Sequence, residues 1–193
     1  MTHSTSFSVV QLGDYPGTRT LGQDGHARLD DLLGEREEVD LTIDFAGVKV
    51  MNNSFADEFL AKFLISQNFS AKGITVKVTG LTPENLDSVV VCVERRATQV
   101  VVLEEDGSLD LVGDDKILAD TFNQALKLGS FKANDLADAM GLTAQNANNR
   151  LKRLADAGAL RKAQVTGSTR GGREFVYETL PAEVLDSNNL TPA

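Results

Sequence analysis

Apolar and polar positions follow two different rhythms along the first half of the chain. Residues 39–45 alternate between apolar and polar side chains, which predicts a half-buried β-strand. Residues 54–68 contain three phenylalanines spaced four apart, which predicts an amphipathic helix. The same patterns recur in shorter form, with strands predicted at 7–12, 74–78 and 99–103 and helices at 22–34 and 83–97. Because strands and helices alternate, we expect parallel strands in an α/β domain over residues 1–107.

The pattern changes at residues 104–115, where glycine and acidic residues cluster, and we interpret residues 108–114 as a linker. Three amphipathic helices follow. The first two end at glycines, and the third is capped by Thr143. Two strands then complete a mainly α-helical domain over residues 115–180. The polar tail, residues 181–193, is expected to fray.

Charge is spread unevenly along the chain. The net charge is −9, which taken alone argues against nucleic-acid binding. Residues 1–113 carry 9 basic and 18 acidic side chains, whereas residues 143–173 carry seven basic side chains and one acidic side chain. A local excess of positive charge in an acidic protein indicates a surface that binds a polyanion. A solvated basic face is the alternative.

Residues 133–160 have the spacing of a helix-turn-helix, because a short helix and a longer one are joined by a tight turn at Gly141. The longer helix would enter the major groove with its polar and basic side chains. The candidate DNA-binding residues of this helix are Thr143, Gln145, Asn146, Asn149, Arg150, Lys152 and Arg153. Bases are usually read by the N-terminal part of such a helix, so the amides are better candidates for base contacts than Arg153.

A glycine-rich segment between the last two predicted strands adds two further candidates, Arg170 and Arg173. Cations on such a hairpin tip can lie along a minor groove or a phosphate backbone. We therefore expect them to contribute to DNA affinity.

The run from Phe131 to Leu160 resembles bacterial winged helix-turn-helix regulators in its pattern Leu-Ala…Gly-Leu…Leu-Lys-Arg-Leu…Gly. The resemblance covers about a third of the chain and implies that residues 115–180 bind double-stranded DNA. Winged helices also serve as protein-docking or dimerisation modules, so a pure protein-interaction role stays open. A homodimer is a further expectation, since such domains often read paired half-sites.

A second resemblance starts at the end of the predicted strand 39–45, in the pattern Asp-Phe-Ala-Gly-Val…Ser-Phe-Ala-Asp-Glu. It is similar to the STAS superfamily of sulphate transporters and anti-sigma factor antagonists, over most of residues 7–105. In the antagonists a partner kinase phosphorylates the serine at this helix start, and Ser54 is the matching position. The antagonists usually have Asp-Ser-(Ser/Thr)-Gly where this chain has Asn-Asn-Ser-Phe. The alternative is that Ser54 or Asn53 only caps the helix.

Other chemistry is sparse in this sequence. His3 and His26 lack the spacing of a metal site, and Cys92 lies in an apolar stretch typical of a core residue. Asp44, together with acidic residues on the following helix, could gather around an ion or a base, although acidic strand ends are common in α/β domains. We expect no enzyme activity, no cofactor and no metal.

The sequence also bears on the compartment. It contains one cysteine, so no intrachain disulfide can form, and it has no apolar run of membrane-spanning length. The first residues lack the basic start and apolar stretch of a signal peptide. We expect a cytoplasmic protein without membrane association.

The two resemblances together predict an α/β STAS-like N-terminal domain followed by a mainly α winged helix-turn-helix domain. The expected function is that of a DNA-binding transcriptional regulator whose STAS-like domain senses a ligand or docks a partner, such as a kinase or an anti-sigma-like protein. The alternative is a partner-switching signalling protein, similar to anti-sigma factor antagonists, whose winged helix contacts protein.

Overall fold

The computed structural model describes residues 2–165 and 174–181, which form two β-sheets with helices packed against them. The larger sheet has the strand order β1-β2-β3-β4-β5, and the smaller sheet has the order β6-β8-β7. Strands β1 to β4 pair in parallel, β5 pairs antiparallel to β4, and the smaller sheet is antiparallel. The strands are β1 (His3–Ser8), β2 (Val39–Asp44), β3 (Thr75–Thr79), β4 (Val100–Leu103), β5 (Leu109–Val112), β6 (Ser130–Lys132), β7 (Arg161–Val165) and β8 (Glu174–Glu178).

The helices fall into two groups along the chain. We call residues 2–112 the N-terminal unit and the described residues from 113 onward the C-terminal unit. A 3-10 turn (Val9–Leu12) follows β1, and a π-helical turn (Asp57–Ala61) separates α2 from α3. The α-helices are α1 (Arg19–Leu33), α2 (Asn53–Ala56), α3 (Lys62–Ser66), α4 (Phe69–Lys72), α5 (Pro83–Arg95), α6 (Lys116–Leu128), α7 (Ala133–Met140) and α8 (Ala144–Asp156).

The expectation of a mixed α/β fold is confirmed at this level, with a sheet that is mostly parallel. Three strands differ from the sequence-based expectation. The strand predicted at 7–12 lies earlier, at β1, and its expected second half is a 3-10 turn. Residues 108–114, which we interpreted as a linker, contain β5, and β6 was not predicted at all.

One face of the larger sheet carries the main core of the N-terminal unit. The side chains of Phe55, Phe59 and Phe63 have no exposed surface, as their spacing predicts for a helix that covers a sheet. The rings of Phe55 and Phe59 stack with their centroids 5.2 Å apart. Burying a side chain of this size stabilises a fold by roughly 1.5–3 kcal/mol, so each of the three rings contributes substantially to the packing of the unit.

Helix α1 crosses the π-helical turn at very short range because it carries glycine at the crossing. A Cβ atom at Gly22 would lie 2.8 Å from the Cβ of Glu58, and one at Gly25 would lie 2.7 Å from the ring of Phe59. Glycine in a helix interior costs roughly 0.5–1 kcal/mol relative to alanine. The close packing of α1 therefore offsets a loss in helix propensity.

The opposite face of the sheet is covered by the C-terminal unit. Its apolar part lies on β4 and β5, where Val101, Leu103 and Leu109 join a second core together with Leu118 and Phe122. The polar contacts between this face and the C-terminal unit lie on β2 and β3. The two units therefore share a core, in addition to being connected by the chain.

Polar contacts extend this junction. Arg161, at the start of β7, forms an ion pair with Asp40 on β2, and its Nε donates to the carbonyl oxygen of Gly73 at 3.1 Å. The backbone N–H of Val76 on β3 donates to the carbonyl oxygen of Gly158 at 2.8 Å. The turn after α8 is thereby fixed to the N-terminal unit.

Candidate nucleic-acid interface

The turn between α7 and α8 is tightly closed. Gly141 ends α7 with φ +63°, a backbone conformation that favours glycine, and the N–H of Leu142 donates to the carbonyl oxygen of Ala137 at 2.8 Å. The hydroxyl of Thr143 accepts a hydrogen bond from the N–H of Asn146 at 3.2 Å. The predicted N-cap at Thr143 is therefore confirmed, and α8 begins at the following residue.

Helix α8 is amphipathic, with one buried stripe and an exposed opposite face. The stripe packs into the second core and consists of Ala147, Leu151, Leu154 and Ala155. The side chains of Gln145, Asn146 and Asn149 are exposed, and their amides make no hydrogen bond with any described residue. The N-terminal half of α8 therefore presents three amide side chains to the solvent, as the sequence analysis expected.

The three cations of α8, unlike these three amides, are bound to other residues of the protein. Arg150 is half-buried, and its Nη1 donates to the hydroxyl of Thr121 at 3.3 Å. The ammonium group of Lys152 lies 2.5 Å from the carboxylate of Asp156. All three cations have partners, since Arg153 also forms an ion pair at 2.7 Å, with Asp115.

Asp115 has a structural role at the start of α6. Its carboxylate accepts a hydrogen bond from the N–H of Leu118 at 3.0 Å. That bond, followed by the bond from Arg153, holds the pKa of Asp115 below its ordinary value despite partial desolvation.

The Lys152–Asp156 pair has the i,i+4 spacing that sequence alone can reveal, whereas the pairing of Arg153 with Asp115 depends on how α6 packs against α8.

Two more cations of the basic stretch are also engaged. Arg161 lies in the junction between the two units, and the Lys162 ammonium lies 4.0 Å from the centre of the Phe175 ring. All five cations in the described part of residues 143–173 therefore have partners within the protein, and the polyanion-binding surface stays a prediction. Arg170 and Arg173 lie outside the described residues, and their assignment stays a prediction.

The C-terminal end of α8 faces the N-terminal unit. The hydroxyl of Ser70 on α4 donates to the carboxylate of Asp156 at 2.5 Å. A Cβ atom at Gly158 would lie 3.3 Å from Phe69 and from Val76, so the turn after α8 fits closely against α4 and β3. Only the N-terminal half of α8 extends away from this junction.

The loop that leads into α2 carries the second candidate site. The carboxamide of Asn52 accepts a hydrogen bond from the N–H of Phe55 at 2.9 Å, so Asn52 is the N-cap. The prediction that Ser54 or Asn53 caps this helix is therefore wrong. Ser54 lies in the first turn of the helix and is half-buried.

Asn85, on α5, fixes the same loop through two hydrogen bonds. Its side chain is fully buried, its Oδ1 accepts from the N–H of Met51 at 3.0 Å, and its Nδ2 donates to the carbonyl oxygen of Val48 at 3.0 Å. The thiol of Cys92 donates to the carbonyl oxygen of Asn53 at 3.4 Å, and burial raises its pKa. Asn85 was not among the predicted site residues, and its signal in the sequence is an amide in the first turn of a helix that opens with Thr82-Pro83.

The acidic residues near this loop are paired with cations or the backbone. Arg96 donates to both oxygens of Asp57 at 2.9 and 2.6 Å and lowers the pKa of that carboxyl group. Glu58 is bound by Lys62 at 2.8 Å, which lowers its pKa although the carboxylate is buried. Asp44 accepts from the N–H of Ala46 at 2.8 Å. The described residues contain no group of three acidic, histidine or cysteine side chains arranged to hold a metal ion.

Apolar side chains are exposed at the edge where β1 and β2 end. Tyr15 and Val50 are 63% and 54% exposed. Lys49 pairs with Asp14 at 3.4 Å, and its ammonium lies 5.2 Å from the centre of the Tyr15 ring. This edge lies on the loops that precede α2, the helix that carries Ser54. It combines exposed apolar side chains with an ion pair.

No family model, no curated protein and no solved structure matches this chain. The assignment of the two units to families therefore rests on the sequence patterns described above. Among the helices formed by residues 2–165, none has both the length and the apolar character needed to cross a membrane.

Proposed function

We propose that the chain is a DNA-binding transcriptional regulator in which residues 115–180 act as a winged helix-turn-helix. The observation that carries the proposal is the N-terminal half of α8, where Gln145, Asn146 and Asn149 project opposite the buried stripe. Exposed amides at the start of a helix, directly after a tight turn, are suited to contacts with base edges in a major groove.

The dimensions of α8 are compatible with this role. The helix has 13 residues and is therefore about 20 Å long. The major groove is about 12 Å wide and admits a helix of this diameter. Because its C-terminal end contacts α4, the helix would enter the groove with its N-terminal half leading.

We assign a regulatory role to the N-terminal unit, as a STAS-like domain that senses a ligand or docks a partner. The hydrogen bonds from Ser70 to Asp156 and from Val76 to Gly158 support this role. They connect α4 and β3 directly to the end of α8. A rearrangement of either element would change the orientation of α8.

The experiment is a fluorescence anisotropy titration of the full-length protein with duplexes from its own upstream region, repeated at several salt concentrations. We expect specific binding that weakens as salt rises. The double variant Gln145→Ala/Asn149→Ala should weaken binding, whereas Gln11→Ala, which removes an exposed amide of the N-terminal unit, should not. Binding that is insensitive to the double variant would exclude α8 as the contact surface.

A second candidate function is a partner-switching signalling protein in which the winged helix contacts protein. Tyr15 and Val50 are exposed on two loops that are hydrogen-bonded to each other just before the helix that carries Ser54. They favour this candidate, because exposed apolar surface suits a docking partner. Mass spectrometry of the native protein tests for phosphate on Ser54. Phosphate on Ser54 combined with the absence of any DNA complex would favour this function over the first.

A further inference from the structure

We infer that α8 reads adenine, so that the DNA site of this protein has a core of A·T pairs recognised in the major groove. The inference rests on the proposed DNA-binding function and names the bases that the same surface selects. It follows from which side chains of α8 are exposed without a partner among the described residues and which are bound to one.

The exposed amides match the hydrogen-bonding pattern of adenine. A carboxamide offers one acceptor and two donors, and the major-groove edge of adenine offers the N7 acceptor beside the N6 amino donor. Gln145 and Asn149 lie four residues apart and therefore on the same face of the helix. Asn146 extends this face by one position, so three adjacent side chains have the same chemistry.

The helix offers few groups that suit guanine. The major-groove edge of guanine presents two acceptors, N7 and O6, which are read by two donors from arginine or lysine. Arg150 is half-buried and donates to Thr121, while Arg153 pairs with Asp115. Both guanidinium groups of α8 are therefore already bound to other residues of the protein.

The positions of these side chains along α8 strengthen the contrast between its amides and its cations. Lys152 and Arg153 lie on the C-terminal half, whose last residue, Asp156, is bound to Ser70 of the N-terminal unit. The amides lie on the opposite, leading half. Among the amides of α8, Asn148 differs, because its Nδ2 donates to the carbonyl oxygen of Ala144 at 2.9 Å.

The experiment selects binding sites for the full-length protein from a random duplex pool and measures affinity for the enriched site by anisotropy. Each adenine is then replaced singly by 7-deazaadenine, which lacks the N7 acceptor, and each guanine by 7-deazaguanine. We expect a core adenine at which the replacement weakens binding roughly 5-fold or more, and changes below about 2-fold at the guanines.

Variants connect the effect to α8. In Asn149→Ala or Gln145→Ala, the penalty for 7-deazaadenine should disappear at one core position, because the side chain that reads N7 is absent. Asn148→Ala is the matched control and should keep the full penalty. Thermal unfolding of the variants should match that of the wild type, since all three side chains are exposed.

The outcomes separate the inference from the proposed function. A selected core whose affinity falls with 7-deazaguanine and depends on Arg150 or Arg153 would overturn the adenine inference, while DNA binding would stand. Specific binding without a penalty at any adenine would also overturn it. The absence of both enrichment and salt-sensitive binding would overturn the inference together with the proposed function.

Discussion

The guanidinium of Arg161 is paired with the carboxylate of Asp40 across 121 positions of the chain, with both side chains almost buried. Removing one partner from a buried pair leaves an uncompensated charge and costs about 3–5 kcal/mol. Asp40→Asn should therefore lower the free energy of unfolding by an amount near the lower end of this range, because Glu178 lies 3.8 Å from the same guanidinium. Urea unfolding at pH 7 measures the change.

An exposed pair of the same type provides the control for that prediction. Arg28 and Asp24 lie 2.9 Å apart on the surface of α1, with both side chains about half-exposed. Asp24→Asn should change the free energy of unfolding by less than about 1 kcal/mol. Equal losses for Asp24→Asn and Asp40→Asn would show that burial adds nothing to the Arg161–Asp40 pair.

Gly158 should tolerate alanine less well than Gly141. Both glycines have positive φ, at +74° and +63°, so alanine at either position meets a backbone penalty of about 1–2 kcal/mol. A Cβ atom at Gly158 would also press on Phe69 and Val76, whereas one at Gly141 would meet no atom within 4 Å. We expect Gly158→Ala to lower the thermal unfolding temperature further than Gly141→Ala. A ranking in the opposite order would mean that the turn after α8 is not held against the N-terminal unit.

The cap of α2 predicts different outcomes for two neighbouring side chains. Asn52→Ala removes the bond accepted from the N–H of Phe55 and the bond donated to the carbonyl oxygen of Gly17, and it should cost at least about 1 kcal/mol in the free energy of unfolding. Ser54→Ala leaves both bonds in place and should cost less than about 0.5 kcal/mol. Chemical denaturation of the two variants in parallel checks the difference. If Ser54→Ala proved the more costly change, the cap would belong to Ser54.

The pair Asp57–Arg96 predicts a dependence of stability on pH. Because Arg96 lowers the pKa of Asp57 in the folded protein, this carboxylate stabilises the fold above its ordinary pKa of 3.8, and the contribution is lost as the pH falls through the lowered value. Arg96→Gln removes this contribution. We therefore expect the variant to be less stable than the wild type at pH 6, with a gap that narrows steadily below pH 4.

Urea unfolding of the wild type and Arg96→Gln across this pH range measures that gap. Arg95, the preceding residue on α5, offers a matched control, since its side chain has no direct hydrogen bond to a carboxylate within the described part of the chain. Arg95 lowers the pKa of Asp57 only through its charge, so Arg95→Gln should change the shape of the pH profile much less than Arg96→Gln does. A gap between Arg96→Gln and the wild type that stays constant down to pH 3 would contradict the role of Asp57.

Local periodicity predicted the elements with a strong repeating signal. The phenylalanine spacing placed the helix over the sheet, and Thr143 marked the start of α8, because both signals depend only on neighbours in the sequence. Strand β1 was misplaced because it is an edge strand in which only Phe7 is buried. Strands β5 and β6 have four and three residues, too few for alternation to stand out.

The candidate sites were predicted less completely than the helices. The amides of α8 were correctly expected to be exposed, because they lie opposite the apolar stripe. The pairing of Arg153 with Asp115 was missed, since it joins two helices through their packing. The cap at Asn52 was missed because three consecutive polar residues could each start the helix, and only the path of the preceding loop decides among them.

The sheet face that the two units share is completed in a fixed order during synthesis of the protein. Synthesis completes β1 to β5 before any residue of α6 to α8 has been added, at about 5–20 residues per second. Until the later helices leave the ribosome, Val101, Leu103 and Leu109 stay open to water and to other nascent chains. These three side chains are covered only by elements that follow them in the chain, so we expect a chain that ends after β5 to aggregate more readily than the whole protein.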